Sequence, residues 1–284
     1  MMIAHVNNSL STSVLPGRAH ISFSIIMPSY NRKYCIDQAI ESVLSQKYSD
    51  FELLIVDDGS TDGTLDHVRA AYSEEIGKGR IRLIPISKVG ISGARNVGLE
   101  QAKYDWICYL DTDNKMLPSY FEIFSQCIMA NAEYQCFYAK MRQRTSGDLI
   151  GRPFSFFELV RANFIDMGTF VHSKSLYYKL GGQDVNLHRL EDWDLIIRYT
   201  AIHKPYFIDT VVLDYNDVFS GERNSDADNY ENNHRRIMAK NILINVGFLA
   251  GDFLPPEPLQ WAFKNWRKVF LNKIKNFIKS VFPD

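Results

Sequence analysis

Short apolar runs, each ended by a polar or turn-forming cluster, constrain the first part of this chain more than any other feature. Residues 23–27 (Phe-Ser-Ile-Ile-Met) stop at Pro28, and residues 51–56 (Phe-Glu-Leu-Leu-Ile-Val) stop at Asp57-Asp58-Gly59-Ser60. Residues 106–110 (Trp-Ile-Cys-Tyr-Leu) stop at Asp111-Thr112-Asp113, and residues 81–86 form a further run. Runs this short and this apolar read as strands buried on both faces. Between them, Ile36, Ala39, Ile40, Val43 and Leu44 recur at helical spacing over residues 36–45. Thr61 or Asp62 is placed to cap a second helix reaching to about Tyr72, and residues 92–102 read as a third. Strands alternating with helices predict a mostly parallel α/β sheet with helices on both faces. Ligands in such sheets bind outside the carboxyl ends of the strands. Residues 28–32, 57–60 and 111–113 are therefore expected to converge.

The second half is less regular. Strands are expected over residues 135–144, 168–172 and 207–215, and helices over 154–162 and 192–202. Residues 217–228 read as a polar loop, 233–249 as a helix, and 260–281 as a last helix after the Pro255-Pro256 break.

A hydrophobic content of 46% over 284 residues supplies a substantial core. The net charge of −1 forces no basic surface, so nucleic acid is not an expected partner. Cys35, Cys108, Cys127 and Cys136 show no C-x-x-C spacing and read as free thiols in a reducing compartment. No apolar stretch reaches the roughly 18 residues of a membrane span. Residues 1–20 are rich in Ser, Asn and Thr and lack the pattern of a signal peptide; they read as a flexible lead-in. The expected location is the cytoplasm.

Three acidic clusters carry candidate chemistry. In Asp111-Thr112-Asp113, alternate residues of an extended segment point the same way, and paired carboxylates suit Mg²⁺ or Mn²⁺ with substrate phosphates in the shell. Alone, the same spacing fits a solvated turn. Asp57-Asp58-Gly59-Ser60 fits a turn, a helix cap or a contact to ligand N–H and hydroxyl groups. Glu191-Asp192-Trp193-Asp194 stands at a predicted helix start, where carboxylates cap favourably and where one of them is also placed to act as a general base. Trp193 suits either a sugar face or the core.

Pro28-Ser29-Tyr30-Asn31-Arg32, the Asp57-Asp58-Gly59-Ser60 turn, Gly93-Ala94-Arg95-Asn96, Asp111-Thr112-Asp113 and Glu191-Asp192-Trp193-Asp194, in this order, resemble the family 2 glycosyltransferases of GT-A fold. Leu44-Ser45-Gln46 and Lys179-Leu180-Gly181-Gly182 match the manner of that family as well. The resemblance implies a GT-A domain over residues 21–235, with a nucleotide-binding half (21–115) and an acceptor-binding half (116–235), followed by a helical extension (236–284). It implies that Pro28, Tyr30 and Arg32 line the nucleotide pocket and that Asp58 contacts the base. Arg95 would reach toward the nucleotide and diphosphate, Asp111 would lie near the ribose, and Asp113 would ligate the metal. Asp192 would be the base, with Asp194 and Glu191 as rivals. The implied reaction is inverting transfer from a nucleotide sugar, with UDP the expected nucleotide, to a saccharide or lipid-linked saccharide in polysaccharide or lipopolysaccharide synthesis. Two other readings stand beside it: an inactive sugar-nucleotide-binding protein, and a nucleotidyltransferase, which would show a Gly-rich basic first loop that this chain lacks.

One departure stands out. Many relatives carry a histidine after the last strand, where this chain has Tyr215-Asn216-Asp217-Val218. Asp217 or Arg223 are the alternatives for that contact, while His172, His188 and His234 read as structural or surface residues. At the C-terminus, Phe263, Trp266, Phe270, Ile274, Phe277 and Val281 form an apolar stripe among lysines and arginines. That basic amphipathic helix suits the anionic inner face of a plasma membrane or docking on its own domain.

Overall fold

A computed structural model of the protein describes residues 20–187 and 189–218, together with His234 and Ile237. Residues 1–19 of the expected lead-in (1–20), His188, Arg223, all but His234 and Ile237 of the expected helix at 233–249, and the C-terminal helix at 260–281 lie outside the described residues.

The first part of the chain alternates strand and helix as expected: β1 (Phe23–Ser29), α1 (Ile36–Leu44), β2 (Phe51–Asp57), α2 (Thr64–Ala71), α3 (Ser73–Gly77), β3 (Ile81–Pro85), α4 (Gly90–Gln101) and β4 (Trp106–Tyr109). The second half holds β5 (Lys115–Met116), α5 (Tyr120–Ala130), β6 (Cys136–Gln143), β7 (Leu149–Ile150) and α6 (Phe156–Arg161). A 3-10 turn (Met167–Thr169), β8 (Phe170–Ser173), α7 (Lys174–Leu180), α8 (Glu191–Ile202) and β9 (Tyr206–Tyr215) complete it.

The described strands form one sheet in the order β3-β2-β1-β4-β8-β6-β9-β5, with β7 on β6. Strands β3, β2, β1 and β4 are mutually parallel. Beyond β4 the pairing is mixed, because β8 runs antiparallel to both β4 and β6 while β9 is parallel to β6. The chain steps from β1 outward to β2 and β3, then returns to place β4 on the other side of β1. That reversal opens a crevice at the carboxyl ends of β1 and β4.

Pro28 lies inside β1 rather than after it. The Ile26 carbonyl points to β4, accepting from Leu110, and the Ser29 carbonyl points to β2, accepting from Asp58. By alternation the Pro28 nitrogen faces the β4 side, where the ladder has already ended at Tyr109. The missing N–H therefore costs no ladder bond.

Both faces of β1 and β2 are covered. Phe23, Ile25 and Met27 pack with α1 and α5, where Phe121 stacks between Phe23 and Phe51 at 5.2 Å from each. Ile26 and Leu54 face the opposite cluster with Leu99, Tyr109 and Trp193. Each such buried side chain contributes about 1.5–3 kcal/mol. All four cysteines are free thiols. No helix among the described residues is long and apolar enough to cross a membrane.

Candidate active site

The three strand-end segments converge on a cleft of about 460 Å³ whose lining includes Pro28, Tyr30, Arg32, Asp58, Asp111 and Asp113. Local hydrogen bonds explain each loop. Asn31 adopts a left-handed backbone (φ 53°), which Asn tolerates better than most residues. Its N–H donates to the Ser60 hydroxyl (2.8 Å) and its side-chain oxygen accepts from the Thr61 N–H (2.8 Å), locking the first loop onto the second. Asp57 closes its own turn by accepting from the Ser60 N–H (2.9 Å) and hydroxyl (2.6 Å). Gly63, in a left-handed backbone (φ 83°), and not Thr61 or Asp62, is the N-cap of α2; Asp62, one residue ahead of it, accepts from the Thr64 N–H at 3.0 Å. Asp58 accepts from the N–H groups of Val89 (2.6 Å) and Gly90 (2.9 Å), so its carboxylate sits in the cleft and also anchors the start of α4. That anchor sets Lys88 on the cleft wall, where its ammonium lies 3.6 Å from the Tyr30 ring centroid.

At the end of β4, Asp111, Thr112, Asp113 and Asn114 all line the cleft; Thr112 and Asn114 are buried in its wall, and Asp111 and Asp113 are half-buried. The Asp111 carbonyl accepts from the Asn114 N–H (3.1 Å), and the Asn114 side chain accepts from the Asn216 N–H (2.8 Å), pinning the turn to the end of β9. Among the described residues no group of three His, Cys, Asp or Glu side chains forms a self-contained metal cage. Two carboxylates in one cleft still fit a hard divalent ion that takes its remaining oxygens from substrate phosphates and water.

The acids of α8 separate into different roles. Asp194 is fully buried and accepts from Arg198 Nε at 2.8 Å, an ion pair inside the helix. Trp193 fills the core and donates its indole N–H to the Leu159 carbonyl (2.7 Å). Glu191 and Asp192 are half-buried and, unlike Asp58, Asp111 and Asp113, do not line the cleft; Glu191 Oε1 lies 3.9 Å from Arg95 Nη1. Arg95 is only 3% exposed, and its Nη2 donates to Asp111 at 2.8 Å. It is not among the residues that line the cleft; it lies beneath Asp111. Burial works against its charge, but Asp111, Glu191 and Asp192 outweigh that cost and hold the guanidinium above its usual range. Burial raises the Asp192 carboxyl above the ordinary carboxylate range against the opposing pull of Arg95. Burial and then the Asp192 charge do the same to Glu191.

The profile of "Glycosyl transferase family 2" matches residues 24–177, more than half of the chain. The chain belongs to glycosyl transferase family 2. An uncharacterized glycosyltransferase of Haemophilus influenzae is 32% identical over 65% of this chain and 63% of its own length. The Escherichia coli UDP-Glc:alpha-D-GlcNAc-diphosphoundecaprenol beta-1,3-glucosyltransferase WfgD is 38% identical over 38% of this chain and 41% of its own. The chain thus spans less than two thirds of these relatives. S. aureus TarS in complex with UDP-GlcNAc superposes with a TM-score of 0.65 at 20% identity, over 92% of this chain and 74% of that one, which shows the shared GT-A fold.

The stretch just after β9 (residues 216–218) carries no histidine; of the two expected alternatives, Asp217 does not replace it in the cleft and Arg223 lies outside the described residues. Tyr215 lines the cleft, but Asp217 is exposed and directs its carboxylate to the Thr145 N–H (2.9 Å) and hydroxyl. His172 is buried and neutral: its Nδ1–H donates to the Ser173 carbonyl and its Nε2 accepts from the Tyr109 hydroxyl, both at 2.9 Å. His234 packs its ring 5.4 Å from that of Trp193. Neither His172 nor His234 lines the cleft.

Asp166 was not legible as a site residue. It begins the 3-10 turn before β8 and accepts from the Gly168 N–H at 2.8 Å. Burial, then the Asp111 charge, push its carboxyl up to about 7. The rule that placed the other acids looked past strand ends; β8 is antiparallel to β4, so its beginning meets the same rim. The usable signal was an acid two residues ahead of Gly168, at the start of a strand.

Proposed function

We propose that this protein is an inverting, metal-dependent glycosyltransferase. It moves a sugar from a nucleoside-diphosphate donor, with UDP the expected nucleotide, to a hydroxyl of a saccharide or lipid-linked saccharide in cell-surface polysaccharide or lipopolysaccharide synthesis. The observation that carries this reading is the buried Arg95 guanidinium, which stands between two kinds of carboxylate, one pair lining the cleft and the other outside its lining. Asp111 and Asp113 stand in the nucleotide cleft, and Arg95 links Asp111 to the first turn of α8, where Asp192 stands.

In this reading Pro28, Tyr30 and Arg32 hold the base and ribose, Asp58 contacts the base, and Asp111 lies near the ribose. Asp113 ligates Mn²⁺ or Mg²⁺, which when bound supplies positive charge for the leaving diphosphate. Arg95 adds its charge from beneath Asp111. Asp192 takes the proton of the acceptor hydroxyl. The acceptor oxygen then bonds to the anomeric carbon from the face opposite the diphosphate, which leaves with the electron pair of the broken bond. One displacement inverts the configuration and needs no carboxylate nucleophile. A base pKa raised toward the working pH suits this task. The proposed nucleotide half is residues 21–115 and the acceptor half 116–235. The basic stretch at 260–281 in the extension (236–284) is proposed to meet an anionic membrane surface from the cytoplasmic side; unchanged vesicle binding after its deletion would end that part.

The test measures UDP release from a panel of UDP-sugars with Mn²⁺. Asp192→Asn should lower turnover by roughly 10²–10⁴-fold while leaving UDP affinity unchanged. Asp113→Ala should instead weaken UDP binding only when the metal is present. Loss of UDP binding in Asp192→Asn would remove the base assignment. Nucleotide binding without turnover on any donor would leave a sugar-nucleotide-binding protein.

A further inference from the structure

The base-bearing helix α8 contacts the nucleotide half through a loop as well as through Glu191. From the α8 side, Arg198 donates Nη1 to the Leu180 carbonyl (2.9 Å) and Nη2 to the Gly182 carbonyl (2.7 Å). The Tyr199 hydroxyl donates to the Gly181 carbonyl at 2.8 Å. From the α4 side, Asn96 grips the next residue at two points. Its Nδ2 donates to the Gln183 carbonyl (2.9 Å) and its Oδ1 accepts from the Gln183 N–H (2.7 Å). A side-chain amide that engages both polar groups of one backbone residue fixes distance and orientation together, as a strand bridge does.

The fit leaves no room at residue 182. A Cβ there would come within 2.1 Å of Asn96 Oδ1, with backbone and amide both held, so glycine is required. The neighbour of Asn96 in the chain is Arg95, whose Nη2 holds Asp111 at 2.8 Å. One turn of α4 thus carries two adjacent grips, one on the donor-side carboxylate and one on the loop that braces α8. The two grips are unequal. Arg95 Nε and Glu191 Oε2 are buried without a protein partner, whereas both polar atoms of the Asn96 amide are engaged.

We infer that Asn96 is a positioning residue that sets the place of Asp192 relative to the nucleotide rim, with Gly182 as its obligatory partner. This rests on the reading of Asp192 as the base. Transfer requires acceptor oxygen, anomeric carbon and leaving oxygen in line, and small misplacements by groups remote from the chemistry are costly. Loosening the grip therefore acts on turnover and not on nucleotide affinity, because no cleft-lining loop is touched.

The experiment uses the full chain with a UDP-sugar and Mn²⁺, measuring kcat, UDP affinity by calorimetry and Tm for Asn96→Ala, Gly182→Ala and the double variant. The expected result is a kcat lower by about ten- to a hundredfold. UDP Kd should stay within about twofold, and the double variant should be no worse than the poorer single one. Gly182→Ala serves as an independent probe if Asn96→Ala folds poorly, since it presses on the same amide from the loop side. Unchanged kcat in folded variants, or kcat, UDP affinity and Tm falling together, would overturn the inference. Asp192→Asn is run in parallel to separate the two claims. If Asp192→Asn is dead and Asn96→Ala turns over normally, only the clamp is lost. If Asp192→Asn turns over normally, the base reading fails and takes the target of the clamp with it.

Discussion

Residues 20–115 and residues 116–215 hold their functional groups by different means. In the first region the cleft-lining acids follow directly on parallel strands, and loops a few residues long tie to one another: Asn31 to Ser60 and Thr61, Asp58 to Val89 and Gly90. In the second, strand directions are mixed, and the acids of α8 owe their place to contacts made far along the chain, from Arg95 and Asn96 on α4. A parallel sheet positions a site through its own regularity. A second half built on mixed pairing needs dedicated braces, here the buried charge of Arg95 and the half-buried amide of Asn96.

The largest effect expected from this contrast is on the acceptor side. Asp194→Ala leaves Arg198 buried beside an absent partner, which costs on the order of 3–5 kcal/mol. Urea unfolding should show that loss, while Asp192→Asn should unfold much like the unaltered chain. A stable Asp194→Ala that lacks turnover would exchange the roles of the two acids and blur the contrast.

A somewhat smaller effect is expected at the seam, where β4 meets β8 at Ile107 and His172. Burial holds the His172 imidazole down at about 4, against the pull of the Ser173 carbonyl. The unfolded chain takes up this proton near pH 6.5 and the folded one only near pH 4, so this group's contribution is complete above pH 6.5 and lost as the pH falls. The span is worth on the order of 3 kcal/mol. Asp166, held up to about 7, works in the opposite sense over the same range, because the folded state keeps a proton that the unfolded chain has already released. The measurement is therefore the difference in stability-versus-pH slope between the unaltered chain and His172→Gln over pH 4–6.5. Equal slopes would show that the seam tolerates charge.

The smallest effect is expected in the nucleotide half. Lys88→Met removes a surface cation–π contact worth about 0.5–1 kcal/mol. A base that stacks on Tyr30 must displace that ammonium, so UDP affinity should rise by about two- to fivefold. A fall in affinity would make Lys88 itself a nucleotide contact.

Much of the nucleotide half was legible in the residues alone. Buried apolar runs ending in Pro28, in Asp57-Asp58-Gly59-Ser60 and in Asp111-Thr112-Asp113 place those clusters at the carboxyl ends of parallel strands, and parallel strands bring such ends to one rim. The expected strand alternation at residues 111–113 does not hold: β4 ends at Tyr109, the Asn114 N–H closes a turn on the Asp111 carbonyl, and Thr112 lines the cleft along with both acids. The carboxyl-end rule missed Asp166, because an antiparallel strand meets the rim with its beginning.

Sequence by itself determined the strand–helix alternation of residues 23–109, the family, and the gathering of the strand-end acids Asp58, Asp111 and Asp113, since these follow from local periodicity and from the direction in which parallel strands run; the helices at Tyr120–Ala130 and Lys174–Leu180 were not among the expected elements. Only the tertiary structure decided which acid of α8 stands toward Arg95 and which is sealed against Arg198. Asp192 and Asp194 are about 200° apart around a helix, and an element apolar on most sides does not say which face meets a buried arginine. It also decided that Arg95 lies under Asp111 and that Asn96 requires a glycine at 182. Those facts depend on distances between residues far apart in the chain, which no local pattern encodes.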